Sequence, residues 1–404
     1  MYNNSSLYHQ LLKEHTVEEV NEIFKQELQK RDINDYEKFI NDFKREYDEK
    51  SIVKYTELVS FMKLNIQNDF TEYILNQYIL NLKYLDLICN FDCIQYVVKE
   101  LCQKENKLTD HQLIYISSHI NIEKLILTYN NVITDEGLKN CVNLKIIDVY
   151  YCNISDEGLK NCVNLQKLYT YNNSQITTCY PFSKSLIELD AAGCCGISDE
   201  GLKNCINLQI LNASDNKKIT SCSPFSKTLI HLMAYCDLEH LFPWNTGISD
   251  KSLENCINLQ ILYAANNEKI TTCKPFASSL IKLNASIWCG INDEGLKNCI
   301  NIQILDISGN PHITTCNSCA KSLINLKASG YGKIDDAGLQ NCINLQILDV
   351  SNNPKITSCE PFAKNLIELN ASDNCGIGDE EIKKCIKLKN LVSRYNPKIT
   401  IKIE

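Results

Sequence analysis

One phrase of this chain is written repeatedly. Gly338-Leu-Gln-Asn-Cys-Ile-Asn-Leu345-Gln-Ile-Leu348-Asp-Val-Ser-Asn-Asn353 nearly copies Gly201-Leu-Lys-Asn-Cys-Ile-Asn-Leu208-Gln-Ile-Leu211-Asn-Ala-Ser-Asp-Asn216, and weaker copies fill the chain from about residue 120 onward. The leading apolar residue of each copy falls at Ile122, Leu144, Leu165, Leu186, Leu208, Leu229, Leu259, Leu280, Ile302, Leu323, Leu345, Leu366 and Leu388, mostly 21 or 22 residues apart. A unit that short cannot enclose a core alone, so successive units must stack and share one. The 404 residues, 44% of them hydrophobic, therefore read as one long solenoid rather than several globular domains.

Within a unit the pattern is Leu-x-x-Leu-x-apolar-x-x-Asn-x-x-Ile, as in Leu345, Leu348, Val350, Asn353 and Ile356. Alternation around the fourth position predicts a short strand with Leu348 and Val350 inward and Asp349 and Ser351 outward. Asn173, Asn216, Asn267, Asn310, Asn353 and Asn396 occupy the ninth position. An inward amide there can satisfy backbone groups that the turning chain leaves unpaired. Two kinds of return segment alternate, giving a double repeat. One is Ser-Asp-Glu-Gly-Leu-Lys-Asn-Cys at 155–162 and 198–205, with related forms at 292–295 and 335–338. Its Ser or Asp followed by acids predicts a capped short helix with carboxylates at the positive end. The other is Thr-Thr/Ser-Cys-x-Pro-Phe, whose proline predicts a tight turn or a single helical turn, with phenylalanine filling the layer. Asn317-Ser-Cys319 replaces Pro-Phe in one copy.

The 22 cysteines follow the same beat. Cys141, Cys162, Cys205, Cys256, Cys299, Cys342 and Cys385 close the helical phrase, and Cys179, Cys222, Cys273, Cys316 and Cys359 follow Ile-Thr-Thr/Ser. Equivalent positions in a stack form ladders, so both sets are expected to be reduced packing residues, suited to a reducing compartment.

These residues resemble the leucine-rich-repeat superfamily, and Ile-Ser-Asp-Glu-Gly-Leu-Lys-Asn-Cys is most similar to its cysteine-containing branch, over about residues 120 to 404. The resemblance implies an α/β fold: a curved solenoid with one short parallel strand per repeat. The branch is common in substrate-recognition subunits of ubiquitin ligases, which carry an F-box ahead of the repeats. The abundance of Asn, Ile, Lys and Tyr resembles repeat proteins of giant DNA viruses of amoebae, or of amoebozoan protists.

Residues 1–80 differ in character. Thr16-Val-Glu-Glu19 has capping-box spacing and opens a helical rhythm of Val17, Val20, Ile23, Phe24 and Leu28. A helical cap or small helical domain is expected there. The solenoid is expected over 81–404, with degenerate repeats over 81–121 and regular ones over 122–404. An F-box would open with Leu-Pro and close near a tryptophan, whereas the first proline is Pro181 and the first tryptophan Trp244.

Charge and motifs narrow the function. A net charge of -8 without a basic stripe argues against a phosphate-backbone binder. No apolar run reaches the roughly 18 residues needed to span a bilayer, so no nucleic acid and no membrane are expected, and the expected place is intracellular, the cytoplasm (the host's, if the source is viral). Cys316-Asn-Ser-Cys319 is a single C-x-x-C lacking two further ligands, and His231, Cys236 and His240 read as a surface loop. Phosphate-cradling glycine loops are missing. The expectation is no catalytic residue, no cofactor and no metal.

What remains is the surface of stacked strands. Its outward positions carry Asp148, Tyr150, Tyr169, Tyr171, Asp190, Tyr235 and Tyr263, with Tyr151 adjacent, whereas the C-terminal half carries mostly Asn, Asp and Ser. Tyrosine gives large contact area for little entropy loss; it also simply suits exposed strands. A second candidate is an eight-residue insertion, since Leu229 to Leu259 spans 30 residues against 22 from Leu186 to Leu208. It contains Leu241, Phe242 and Trp244, an apolar loop tip that either meets a partner or folds back. The expected function is non-enzymatic binding of a protein partner through the concave face, with an F-box-like ligase adaptor as the alternative. Oligomeric state stays open.

Overall fold

The computed structural model describes residues 97–98, 101–102, 109–119, 121–236 and 246–402. Residues 1–80, where a helical region is expected, most of 81–121, and the inserted Leu241, Phe242 and Trp244 lie outside the described residues. Three-residue strands run from Lys124–Ile126 to Asn390–Val392, one per repeat, and with Leu101–Cys102 form a 14-stranded parallel sheet. A separate pair joins Val97–Val98 to Asn121–Ile122.

The register is set by the repeat. Leu168, Leu189, Leu211, Leu232 and Leu262 face one another from strand to strand. A one-residue slip would turn every one of them to water. Leu345, Leu348 and Val350 are at most 1% exposed, and their counterparts in the repeats led by Leu144 through Leu366 at most 2%. Each such burial contributes about 1.5–3 kcal/mol.

The acidic phrase makes one turn of α-helix at Asp156–Leu159, Asp199–Leu202, Asp250–Leu253, Asp336–Leu339 and Asp379–Ile382. At 293–298 it forms turns instead of the expected helix, with the Asn292 side chain accepting from the Gly295 amide. The Pro-Phe phrase makes single 3-10 turns at Tyr180–Phe182, Ser223–Phe225 and Lys274–Phe276, each burying its phenylalanine as expected. Cys319 fills the phenylalanine position in its copy and is also buried.

The acids do more than cap. Asp156 accepts from the Thr177 amide at 2.8 Å and from the Thr178 amide at 3.1 Å, both in the following repeat. Asp199 does the same for Thr220 and Ser221, Asp293 for Thr314 and Thr315, and Asp336 for Thr357 and Ser358. The expected dipole role is thus joined by a lateral clamp between repeats. Each helical phrase also approaches the repeat before it closely: a Cβ on Gly201 or Gly338 would collide with the carbonyl oxygen of Thr177 or Thr314.

The ninth-position asparagines behave as expected. Asn310 donates to the carbonyls of Ala285, Cys289 and Ile291, while its oxygen accepts from the amides of His312 and Ile313. In the alternate repeats a third cysteine row, unnoticed in the repeat phrase, takes the inner side of the same turn: Cys152, Cys195, Cys236, Cys289 and Cys375 are buried. Cys152 donates to the Leu127 carbonyl at 2.8 Å.

Of the 19 cysteines whose side chains are described, only Cys194 is exposed. The facing thiols of Cys205, Cys256 and Cys299, and then burial, hold the thiols of Cys179, Cys222 and Cys273 well above the usual thiol range.

Candidate functional site

Except in the repeat led by Leu229, the strands from Lys124–Ile126 onward end in a turn whose eighth-position residue is left-handed: Asn172, Gly193, Asp215, Asn266, Gly309, Gly330, Asn352 and Asp373 all have φ between 54° and 76°. Asn, Asp and Gly tolerate this region; bulky residues pay about 1–2 kcal/mol. Tyr129 (φ 61°), Tyr151 (φ 52°), Ile287 (φ 61°) and Tyr395 (φ 60°) sit there nonetheless. Two of these strained tyrosines are consecutive in the stack, and around them an aromatic cluster forms.

Tyr129 and Tyr151 stack at 5.4 Å with planes 11° apart. Tyr150 stands edge-on to both, at 5.0 and 4.7 Å, and stacks on Tyr171 at 4.9 Å. Asn172, one repeat on, donates its amide to the Tyr151 hydroxyl at 2.7 Å. Offset and edge-to-face pairs add about 0.5–1.5 kcal/mol each beyond area burial. They hold the rings in a fixed arrangement while Tyr129 and Tyr151 remain 55% and 44% exposed. Tyr129 was not among the residues expected from sequence; the signal for it is its place in Ile122-Glu-Lys-Leu-Ile-Leu-Thr-Tyr129, the eighth position aligned with Tyr151.

The other expected residues divide. Tyr169 lies on the strand between Asp148 and Asp190, and its hydroxyl donates to Glu188 at 2.8 Å. Glu188 also pairs with Lys167. Asp148 accepts from the Tyr150 amide and the Thr128 hydroxyl, both at 3.0 Å. Asp190 accepts from the Ala192 amide and the Asn212 side chain, also at 3.0 Å. These two carboxylates therefore brace the strand ends, and Asp306, Asp349 and Asn284 repeat the bond to the amide two residues on. Tyr263 lies away from the cluster, beyond the strands at 188–190, 210–212 and 231–233. It has His231 at 5.5 Å and the Lys282 ammonium 5.1 Å from its ring centre. Tyr235 is half-buried at the strand exit of the His231 repeat.

Electrostatics fit a neutral phenolic patch. Tyr150 is pushed above the usual phenol range by its hydrogen bond with Tyr129 and by burial, and Tyr169 by burial and then by Glu188. Burial raises Asp190, helped by Asp148 and Glu188, and lowers His231, helped by Lys282. Among the described residues no group of three or more His, Cys, Asp or Glu could hold a metal ion, and no helix is long and apolar enough to cross a membrane.

The stacked parallel strands with one return turn per repeat define a leucine-rich-repeat solenoid. The Leucine Rich repeat family model matches residues 118–140 and 140–161. Among solved structures the chain is similar to an internalin from Listeria monocytogenes (21% identity, 73% of this chain and 85% of that one, TM-score 0.44). It is also similar to a chain of the yeast Rad7 and Elc1 complex (16%, 92% and 94%, TM-score 0.44) and to one of the Drosophila Toll–Spatzle complex (14%, 73% and 42%, TM-score 0.49). No curated protein matches the chain in sequence.

Proposed function

We propose that the chain is a non-enzymatic binding module that recognises a protein partner at the strand-exit rim of its N-terminal repeats. The observation that carries this reading is the cluster of Tyr129, Tyr150, Tyr151 and Tyr171, half-buried to exposed and mutually stacked, with two members in a backbone region that costs them energy. Packing does not require them, since other repeats fill the same positions with Ser, Gly and Asn. Pre-stacked rings lose little freedom on binding, and such rigid aromatic anchors dominate interface energetics. Tyr169 extends the surface onto the sheet, with Tyr235 and Tyr263 as a second contact group farther along. The thiol-rich core suits a reducing, intracellular compartment.

The test is affinity capture from cells with the natural chain and with Tyr129, Tyr150, Tyr151 and Tyr171 all changed to serine. A partner lost with the variant, while it still unfolds in one cooperative transition, supports the reading; a partner retained equally sinks it. Ligase scaffold proteins captured by both forms would favour the adaptor alternative, which docks through residues 1–80.

A further inference from the structure

The strand-entry rim, opposite the tyrosines, carries a second pattern. In every repeat from the one led by Leu144 to the one led by Leu388, the four residues before the leader, the leader and the residue after it include no Asp or Glu. The chain as a whole has 49 acids and a net charge of -8, so a carboxylate-free band running through all those repeats is a marked segregation of charge.

Two residue types alternate along the band. Two places before the leader stand Val163, Ile206, Ile257, Ile300, Ile343 and Ile386, exposed by 53 to 78%. In the repeats between them the same place holds Lys184, Lys227, Lys321 and Lys364, all exposed, with Ser278 in one copy. None of these four lysines forms an ion pair among the described residues, unlike Lys145 and Lys384 on the same band, which pair with Glu123 and Glu381. Because the strands pair in strict register, equivalent positions line up. At about 4.8 Å per strand the row is roughly 50 Å long. Its composition is that of an interfacial element: β-branched apolar tips separated by lysines whose stems can lie along apolar surface while the ammonium seeks anions.

We infer that this rim docks the chain peripherally on an anionic lipid bilayer. Periodicity favours a bilayer over an acidic protein. A unique protein partner imprints non-repeating residues, as on the tyrosine rim, whereas a surface without addressed positions is matched by one contact repeated at constant spacing. Peripheral docking needs no spanning segment, which is all that the apolar-run test of the sequence excludes. Each lysine near an anionic leaflet contributes about 1 kcal/mol, close to fivefold in partitioning.

The experiment is co-sedimentation of the full chain with phosphatidylcholine vesicles, with and without phosphatidylserine, across a salt series. Expected is binding to the phosphatidylserine vesicles that falls with salt. Changing Lys184, Lys227, Lys321 and Lys364 together to glutamine should reduce it more than about a hundredfold. Changing Ile206, Ile257, Ile300 and Ile343 to serine should reduce it about tenfold. All these side chains are exposed, so unchanged thermal melts will show that the variants fold. The tyrosine-to-serine variant should bind vesicles normally, which separates this rim from the protein-binding one. No sedimentation with either vesicle, sedimentation indifferent to the lysine changes, or retention on polyglutamate in place of vesicles would overturn the inference, the last in favour of an acidic protein partner.

Discussion

The repeats led by Ile122, Leu144 and Leu165 and those led by Ile302, Leu323 and Leu345 build the same sheet from the same parts, yet finish it differently. At the seventh position the first group has Tyr150 and Tyr171 where the second has Ser308 and Ser351. At the left-handed eighth position the first has Tyr129 and Tyr151 where the second has Gly309, Gly330 and Asn352. The fifth-position acids Asp148, Asp306 and Asp349 make the same bond to the amide two residues on. What is common to both groups is scaffold. What differs is an addition the scaffold does not need and, at the eighth position, one that works against it.

If the scaffold is common, breaking it must hurt both halves alike. Asn173→Ala and Asn310→Ala each strand several buried carbonyls and amides in the turn. Each unsatisfied group costs about 1–3 kcal/mol. Both variants are expected to lose about 3 kcal/mol or more in urea unfolding. A loss in one half only would mean that the halves differ in structure as well as in surface.

Tyr150→Ser with Tyr171→Ser gives the first group the seventh position of the second. Stability should fall by about 1.5–4.5 kcal/mol, since the exchange removes the contacts of Tyr150 with Tyr129, Tyr151 and Tyr171, each worth about 0.5–1.5 kcal/mol. Affinity for the captured partner should fall by about 2–4 kcal/mol, thirtyfold or more. The reciprocal change, Ser308→Tyr with Ser351→Tyr, should leave affinity untouched. Titration calorimetry reads both, and equal losses from either exchange would erase the distinction between the halves.

Much of this scaffold was legible in the sequence, because periodicity reports burial directly. The leucine, asparagine and cysteine ladders, the one-turn helices and the buried phenylalanines all follow from which residues recur at fixed spacing. Three features were not, for physical reasons. The Asp156–Thr177 clamp and its copies join residues 21 apart, and an acid beside a helix start already has a sufficient explanation in capping. The left-handed eighth position hides behind Tyr129 and Tyr151, residues that disfavour it. Asp148 and Asp190 look like free surface charges until the turn brings a backbone amide to each. The apolar basic rim went unread because spacing of two repeats separates its members by about 43 residues, as from Val163 to Ile206.

Alkali should expose the difference in titration. Tyr150 and Tyr169 have phenols raised in the folded chain, so the fold binds their protons more tightly than the unfolded chain does. That contribution is fully present below about pH 10, the unfolded phenol value, and is lost as pH rises toward the folded values. Buried thiols add the same sign from about pH 8.5 upward in both halves, with Cys141, Cys162 and Cys289 each pushed to about 12 and Cys152 to about 11 by burial. Urea midpoints should therefore fall with pH from about 8.5, and Tyr169→Phe should flatten the segment above pH 10. Mass mapping after thiol labelling at neutral pH should find Cys194 modified first among the described cysteines. Labelling of Cys205 or Cys342 in the native chain at the same rate would show that the ladder is open.

The finest test concerns the eighth position alone. Tyr151→Asn should relieve the backbone strain and also remove a ring in contact with Tyr129, Tyr150 and Tyr171, so strain relief of about 1–2 kcal/mol is outweighed by loss of three aromatic contacts worth about 0.5–1.5 kcal/mol each. Its net effect on stability is expected to be a loss of about 1–2 kcal/mol. Ile287→Asn relieves the same strain where no ring contact is made, and should stabilise by about 1 kcal/mol. Gly330→Tyr places the strain where the chain has avoided it and should cost about as much. Melting temperatures of the three variants then read the backbone term with and without its aromatic compensation. If Tyr151→Asn stabilised as much as Ile287→Asn, the stacking would contribute nothing to the fold, and the rings would be held at that rim solely for what they bind.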